Sequence, residues 1–241
     1  GVAVTDIVTG MYATVAILAA LQELHRSGLG QHLDIALLDS HVALLANQNS
    51  NYFNSGVAPT RAGNAHQNVV PYQVFAASDG HLIVATGNES QYRAYCKAIG
   101  APELGDDPRF ATNRLRVTHR EELVGRLAAI MRQGRRDDWI ARLEAVGVPC
   151  GPINDIAQAF AHPQAQARQL RRDLPHPGGG VAPVTASPLR FSDSPVVYRR
   201  APPLLGQHTE EVLREVLGKS PRAIAEFVSA RLRQPDFPFT A

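Results

Sequence analysis

The chain has 241 residues, of which 44% are hydrophobic and 19% are charged, and its net charge is +2. This composition is near the average of soluble globular proteins and excludes a disordered chain, and the length allows one large or two small domains. The most apolar run, residues 11–21, is about half as long as a bilayer-spanning helix, so no membrane partner is expected.

Arginine accounts for 22 of the 24 basic residues, and such an excess can indicate nucleic-acid binding. In RRDDW (135–139) and THREEL (118–123), however, the arginines lie beside carboxylates, as they do on solvated helix faces. We therefore expect no nucleic-acid partner. Cys96 and Cys150 lie far apart without metal-ligand spacing, so no disulfide and no metal site are predicted, and a cytoplasmic location fits best.

The first 60 residues have the pattern of a helix, a strand and a second helix. Apolar residues recur at helical spacing over 7–26, and Gly28 follows as a terminator. Residues 32–37 have the composition of a short strand, after which Asp39 is predicted to cap a helix that extends to about residue 54. This order is typical of one layer of an α/β sheet.

The middle of the chain has the pattern of a compact α+β unit. It follows a polar loop over 55–71, which is a candidate domain boundary. Two apolar runs around Asp79-Gly80 then predict a β-hairpin. Four helices are expected after it: one over 90–99, one that starts with a capping box of Thr118 and Glu121 and ends near Gly134, one over 137–146, and one capped by Asn154.

The last third of the chain opens with residues 174–203, which are rich in proline, glycine and serine. This stretch predicts an extended linker with at most one or two strands. Thr209 is then expected to cap a helix that ends at Gly218, and Ser220-Pro221 to start an amphipathic helix that ends near Arg233.

Four polar residues stand out because they lie in apolar or turn-like settings: Asp6, His66, Glu89 and His208. Each has a purely structural explanation, since Asp6 fits a helix cap or a first-turn acid and Glu89 fits a first-turn acid. His66 fits a loop histidine and His208 a helix cap. A carboxylate at a helix N-terminus can also act as a nucleophile or a proton acceptor, so these residues alone leave the function open.

Asp6 is followed by TG, a long Ala/Leu helix and HRSGLGQHLDIALLDS. Together these stretches resemble the segment of the family III CoA-transferases that carries the reactive aspartate. This family includes formyl-CoA transferase, carnitine CoA-transferase and the 2-methylacyl-CoA racemases. Later stretches resemble successive landmarks of the family in the same order: RAGNAHQNVVPYQVFAASDGHLIVATGNESQY, DPRFATNRLRVTHREEL, GVPCGPINDIAQAFAHPQ and PPLLGQHTEEVLREVLG. The resemblance covers essentially the whole chain.

The resemblance implies an α/β fold in which part of a Rossmann-like large domain is joined to a smaller α+β domain. Residues 1–60 and 191–241 would belong to the large domain, 61–170 to the small domain and 171–190 to a linker. Family members carry a substantial part of the large domain before the aspartate, so we expect this N-terminal part, with most CoA contacts, to be lacking here. Two chains of the family interlock like linked rings, which predicts an interlocked homodimer.

The resemblance also implies a covalent mechanism with Asp6 as the catalytic nucleophile. Asp6 would attack the acyl-CoA thioester to give an aspartyl–acyl anhydride, and the released CoA thiolate would return to form an aspartyl-CoA thioester. An acceptor carboxylate would then collect the CoA through a second anhydride, with backbone N–H groups stabilising each tetrahedral intermediate. Coenzyme A is thus a substrate, and no cofactor is implied.

The resemblance places His66, with Gly63 and Asn64 beside it, in a substrate-binding loop that borders the active site. The formyl-CoA enzyme has a run of glycines there, so this departure favours other acids, among them short dicarboxylates such as succinate, itaconate or mesaconate. Glu89 aligns with a glutamate that in the racemases pairs with a histidine from the lacking region to move an α-proton. We therefore rank CoA transfer first, α-proton transfer second, and a catalytically incomplete oligomerisation or acyl-CoA-binding module third.

Overall fold

The longest element is helix α1 (Val4–Ser27), which confirms the helix predicted over 7–26. In the computed structural model, which describes residues 1–232, α1 ends at Gly28, whose φ of 77° allows its N–H to bond to the Leu24 carbonyl at 2.8 Å. Helix α1 packs along α2 (Leu37–Leu44). Despite this contact, no residue of α1 is buried by the described part of the chain.

By length and composition, α1 could cross a bilayer. It has 24 residues, and its most apolar window has a mean hydropathy of 1.7. The expectation from the run 11–21 counted too short a segment, because single glycine and threonine residues interrupt an apolar run without making the helix polar. A helix that is apolar on all sides is typical both of a membrane span and of a helix covered by a larger protein. The absence of a membrane partner stays a prediction.

The strand predicted over 32–37 is wrong. Residues 29–36 have no regular secondary structure, and residue 37 already begins α2. A strand needs a neighbouring strand to satisfy its backbone N–H and C=O groups, and the described residues supply none beside this segment. The helix, strand and helix pattern was therefore correct for its helices only.

The second predicted helix is interrupted. It consists of α2 and α3 (Asn47–Ser55), which are separated at Ala46, a residue with a positive φ of 47°. Asp39 lies in the first turn of α2, and the N-cap position belongs to Ala36. The predicted cap at Asp39 is wrong, although an acid in the first turn still interacts favourably with the helix dipole.

The predicted hairpin is confirmed. Strands β1 (Tyr72–Ala76) and β2 (His81–Ala85) pair antiparallel, with Phe75 opposite Leu82, and Asp79-Gly80 lies in the turn. Strand β3 (Cys150–Pro152) adds to β2, so the sheet order is β1-β2-β3. The polar loop predicted before the hairpin is also present, since residues 56–71 contain no helix or strand.

Five helices pack on this sheet and form the hydrophobic core of the first compact unit, residues 1–151. They are α4 (Glu89–Ala98), α5 (Pro102–Asp106), α6 (Asn113–Thr118), α7 (Arg120–Met131) and α8 (Arg136–Glu144). The largest buried apolar side chains of this core include Phe75, Tyr92, Tyr95, Phe110, Leu123, Leu127, Met131 and Trp139. The helices predicted over 90–99 and 137–146 are confirmed as α4 and α8.

Two predicted caps of the small helices are wrong. Thr118 ends α6 and donates its hydroxyl to the Arg114 carbonyl at 3.1 Å, and α7 begins without a side-chain cap. The helix cap predicted at Asn154 is Asp155, one residue later. Asp155 caps α9 (Ile156–Ala161), and the Gln158 side chain accepts from the Asp155 N–H in return.

The second compact unit starts at Pro152. After α9 it contains α10 (Pro163–Ala167) and a two-stranded antiparallel ribbon of β4 (Arg171–Pro175) and β5 (Val181–Thr185), which agrees with a linker holding at most two strands. Helix α11 (Thr209–Glu211) continues into a π-helical turn, Val212–Val216, and α12 (Pro221–Leu232) follows. The predicted end of α12, at Arg233, lies outside the described residues. The predicted domain boundaries at 60, 170 and 190 stay predictions.

Candidate active site

Asp6 is an exposed carboxylate in the first turn of α1. The N-cap of α1 is Ala3, which lacks a side-chain cap, so the interpretation of Asp6 as a cap is wrong and that of a first-turn acid is confirmed. Among residues 1–232 the Asp6 carboxylate has no hydrogen-bond or ion-pair partner. The partial positive charge at the start of a 24-residue helix therefore acts on a free anion.

A histidine that sequence reasoning missed lies beside the start of α1. The Nδ1 atom of His41, on α2, is 2.6 Å from the hydroxyl oxygen of Thr5, the residue before Asp6. This hydrogen bond ties the first turn of α1 to α2. Between the two helices lies a groove of about 320 Å³ whose lining includes Asp34 and Tyr12. No sequence signal could reveal this contact, because Thr5 and His41 are 36 residues apart.

His66 is held in a defined orientation by three contacts. The backbone N–H of His66 donates to the Tyr72 carbonyl at 2.8 Å. Its ring stacks on the Tyr72 ring, with the two ring centres 5.3 Å apart and an interplanar angle of 18°. Its Nδ1 accepts the N–H of Asn68 at 3.0 Å. A backbone N–H can only donate, so Nδ1 is the acceptor nitrogen and the proton of the neutral ring lies on Nε2.

The neighbouring candidates anchor the loop to the hairpin. The Asn64 side-chain oxygen accepts the N–H of Val74 at 2.9 Å, and Gly63 has a φ of 61°, which favours glycine. Gly63 lines an open cavity of about 580 Å³ between this loop and α3, and Asn64 follows it in the chain. Their predicted role in substrate binding stays a prediction.

Side chains from outside the loop of residues 56–71, here called the His66 loop, donate hydrogen bonds to five of the six carbonyl oxygens of residues 66–71. Arg120 Nη2 donates to the carbonyls of His66 (3.0 Å) and Gln67 (2.5 Å). Asn113 Nδ2 donates to the carbonyl of Asn68 (2.7 Å), and Arg116 Nε donates to that of Val70 (2.7 Å). The Thr86 hydroxyl donates to the carbonyl of Pro71 (3.0 Å). Sequence reasoning missed these residues. The interpretation of THREEL as a solvated helix face is wrong for Arg120, whereas the RRDDW arginines do pair with carboxylates.

Arg116 is the most deeply buried charge of the first unit. Its side chain is 0% exposed, its Nη1 donates to the Phe110 carbonyl at 3.0 Å, and its guanidinium lies 4.3 Å from the centre of the Tyr92 ring. Burial lowers the pKa of Arg116. Its Nη2 lies 3.8 Å from a Glu89 carboxylate oxygen.

Glu89 is a first-turn acid of α4, as predicted, and its carboxylate is half exposed. One of its oxygens accepts the N–H of Asn113 at 3.1 Å. This hydrogen bond first, and the charge of Arg116 to a smaller extent, lower the pKa of Glu89. Through Asn113, Glu89 is connected to the His66 loop.

The structure thus brings four of the five predicted site residues, Gly63, Asn64, His66 and Glu89, into one connected region. Among the described residues, no hydrogen bond or ion pair joins Asp6 to this region. His208 lies in the second unit, where its Nδ1 is 3.1 Å from a carboxylate oxygen of Glu211. No group of three His, Cys, Asp or Glu side chains that could hold a metal occurs within residues 1–232.

Comparison with known proteins decides the family. The profile described as CoA-transferase family III matches residues 1–209. The chain belongs to CoA-transferase family III. The family predicted from the sequence is thereby confirmed.

Named relatives and a solved structure agree with this family and its fold. Succinate–glutarate CoA-transferase of Agrobacterium fabrum (strain C58) is 47% identical over 90% of this chain and 54% of its own length. Human succinyl-CoA:glutarate CoA-transferase is 40% identical over 95% of this chain and 52% of its own length. A CAIB/BAIF family protein of Brucella suis matches with a TM-score of 0.74 and 44% identity, over 90% of this chain and 56% of that chain. The chain spans about half the length of the curated relatives it matches.

Proposed function

We propose that this family III chain is part of an enzyme that transfers CoA between an acyl-CoA and a short dicarboxylic acid. The observation that carries the proposal is that the two relatives described above are both named as CoA-transferases for succinate and glutarate. Both acids carry a second carboxylate at the end distant from the thioester. The site must therefore hold one carboxylate at the reacting end and recognise another at the far end.

Asp6 is the proposed nucleophile. Its carboxylate attacks the thioester carbonyl, the C–S bond breaks, and the thiolate of CoA leaves an aspartyl–acyl anhydride. The thiolate then attacks the aspartyl carbonyl and releases the donor acid, which leaves an aspartyl-CoA thioester. The acceptor carboxylate then attacks the aspartyl-CoA thioester and displaces the thiolate, which gives an aspartyl–acceptor anhydride. The thiolate attacks the acceptor carbonyl of this anhydride, which frees the Asp6 carboxylate and releases the acceptor as its CoA thioester. An unpaired anion at the start of α1 supports this role, because a carboxylate already held in an ion pair is a weaker nucleophile.

His66 is proposed to bind the distal carboxylate of the acid. Its Nδ1 is occupied by the N–H of Asn68, so the group it can offer is the Nε2–H, a donor suited to a carboxylate. A hydrogen bond to a charged acceptor contributes about 1.5–3 kcal/mol. A monocarboxylic acid of the same length lacks this contact.

The second candidate function is α-proton transfer. It requires Glu89 as a general base, and a base works best when its pKa lies near the working pH. The hydrogen bond from Asn113 lowers the pKa of Glu89 and so makes it a weaker base. This observation and the names of the relatives support the ranking of CoA transfer before α-proton transfer.

We also propose that the whole protein acts as an interlocked homodimer, as the family resemblance implies, and that it is located in the cytoplasm, as its cysteines suggest. Two cysteines without a disulfide, Cys96 and Cys150, are compatible with a reducing compartment. Neither nucleic acid nor a membrane is part of this proposal.

The decisive experiment traps the covalent intermediate. The protein is incubated with succinyl-CoA, quenched with hydroxylamine, and digested for peptide mass analysis. We expect a hydroxamate at Asp6 that depends on the acyl-CoA, is abolished by Asp6→Asn and persists in Asp138→Asn, which removes a first-turn acid of α8.

Exchange of CoA between succinyl-CoA and labelled glutarate by an Asp6→Ala protein would overturn the mechanism. Solvent deuterium at the α-carbon without such exchange would favour α-proton transfer. If the protein neither exchanged CoA nor bound CoA in calorimetry, this result would support the third hypothesis, a catalytically incomplete module.

A further inference from the structure

The His66 loop has no helix or strand of its own, yet its backbone is tied down at nearly every carbonyl. Arg120 differs from the other contributing side chains because a single nitrogen, Nη2, bridges two successive carbonyls, those of His66 and Gln67. The two peptide planes on either side of Gln67, those of the His66–Gln67 and Gln67–Asn68 bonds, are thereby fixed relative to α7. Arg120 therefore acts on the backbone that carries the His66 ring.

The position of Arg120 in its helix indicates that this contact outweighs a local cost. Arg120 is the first residue of α7, where a positive charge interacts unfavourably with the helix dipole. The nearby Glu122 pairs with Arg109 and Arg126, and among the described residues no carboxylate forms an ion pair with Arg120. The Arg120 guanidinium donates to the two carbonyls instead, and hydrogen bonds from a charged donor are stronger than those between neutral groups.

The fixed backbone leaves one hydrogen-bonding group of the His66 ring open. Nδ1 is used by Asn68, and one ring face lies against Tyr72. In the described part of the chain, Nε2 has no hydrogen-bond partner. Asn68, whose N–H selects this tautomer, follows directly after the two carbonyls that Arg120 holds. A shift of those carbonyls would move the Asn68 N–H away from Nδ1.

We propose that Arg120 is a positioning residue that selects the Nε2–H tautomer of His66 and so presents one defined donor to the distal carboxylate of a dicarboxylic acid. The identity of the ligand rests on the proposed function. The positioning of the ring by Arg120 does not require it.

The test is nitrogen NMR of the histidine-labelled chain at a pH of about 8, above the ordinary histidine pKa of about 6.5. The His66 signals are assigned by their loss in His66→Gln. In the wild type we expect one unprotonated and one protonated ring nitrogen, as a single tautomer. Arg120→Gln is expected to bring the two shifts together, because both tautomers are then populated.

Arg126→Gln is the matched control, because Arg126 lies on the same helix and pairs with Glu122 on the surface. It should leave the His66 signals unchanged. Arg120→Lys keeps the charge but not the planar donor geometry of the guanidinium, so it should restore only part of the separation between the two shifts, and it is the variant to use if Arg120→Gln does not fold. Wild-type shifts for His66 in a folded Arg120→Gln or Arg120→Lys protein would overturn the proposal.

The second measurement separates this proposal from the proposed function. If the wild-type protein exchanges CoA, Arg120→Gln should raise KM for glutarate about tenfold, which corresponds to about 1.4 kcal/mol, and leave KM for pentanoate, a monocarboxylic acceptor of the same length, nearly unchanged. An equal rise in both constants would contradict the positioning role. If the wild type exchanges no CoA, the proposed function fails, and the nitrogen shifts still decide the role of Arg120.

Discussion

Replacing Arg116 with methionine should strongly destabilise the first compact unit. The substitution removes the donors to the carbonyls of Val70 and Phe110, two residues that are 0% exposed. A buried carbonyl left without a partner costs about 1–3 kcal/mol, so two cost about 4 kcal/mol. Methionine fills much of the space and removes a buried charge, which offsets part of this loss. The expected net decrease in the free energy of unfolding is about 3 kcal/mol.

The assay is urea unfolding followed by the fluorescence of Trp139, the single tryptophan, which lies in the same core as Arg116. Arg126→Met is the control, since it breaks an exposed pair with Glu122 and should cost less than about 1 kcal/mol. Arg116→Lys keeps the charge and one donor, so its loss should lie between the two. If Arg116→Met were no more destabilising than Arg126→Met, the guanidinium would not be what holds these carbonyls.

Two further predictions concern a close contact and a titrating acid. A Cβ at Gly134 would lie 2.5 Å from a Trp139 ring carbon, so Gly134→Ala should cost about 1–3 kcal/mol, whereas Gly125→Ala, with nothing within 4 Å, should stabilise α7 by about 0.5–1 kcal/mol in the same urea assay; equal stability of the two variants would contradict the contact. Because the folded-state pKa of Glu89 is lowered, its contribution is present above the unfolded pKa near 4.5 and is lost as the pH falls through the folded value. The melting temperature of the wild type should therefore exceed that of Glu89→Gln at pH 7 and converge with it in acid, and a difference that stays constant with pH would refute this.

The fold was predictable where local signals decide the structure. Helix α1 has sustained helical spacing and a glycine terminator, and the hairpin has Asp79-Gly80 between two apolar runs. The strand over 32–37 failed because its pairing depends on residues distant in sequence. The cap predicted at Thr118 failed because Thr118 is still the last residue of α6, and the N-cap of α7 is His119, one residue later.

The candidate site was predictable only through the order of family motifs. His66, Asn64 and Glu89 are single polar residues whose spacing carries no chemical signature. The hydrogen bonds that hold the His66 loop were missed because their donors, Arg116 and Arg120, come from about 50 residues later in the chain. One local signal was present, because a positively charged residue at the start of a helix opposes the dipole and so requires another reason to be there.

The reactivity proposed for Asp6 depends on the covering of α1. An exposed carboxylate is hydrated, and hydration lowers its nucleophilicity, so the attack on a thioester requires that water be removed from around it. The described residues bury no residue of α1, and its apolar side chains Met11, Val15 and Leu18 are each more than half exposed. A contiguous apolar surface of this kind is typical of a face that is covered in the working protein. Because Asp6 lies in the first turn of the same helix, we expect a surface that covers α1 to remove water from the Asp6 carboxylate as well, so that burial of the helix would also activate the proposed nucleophile.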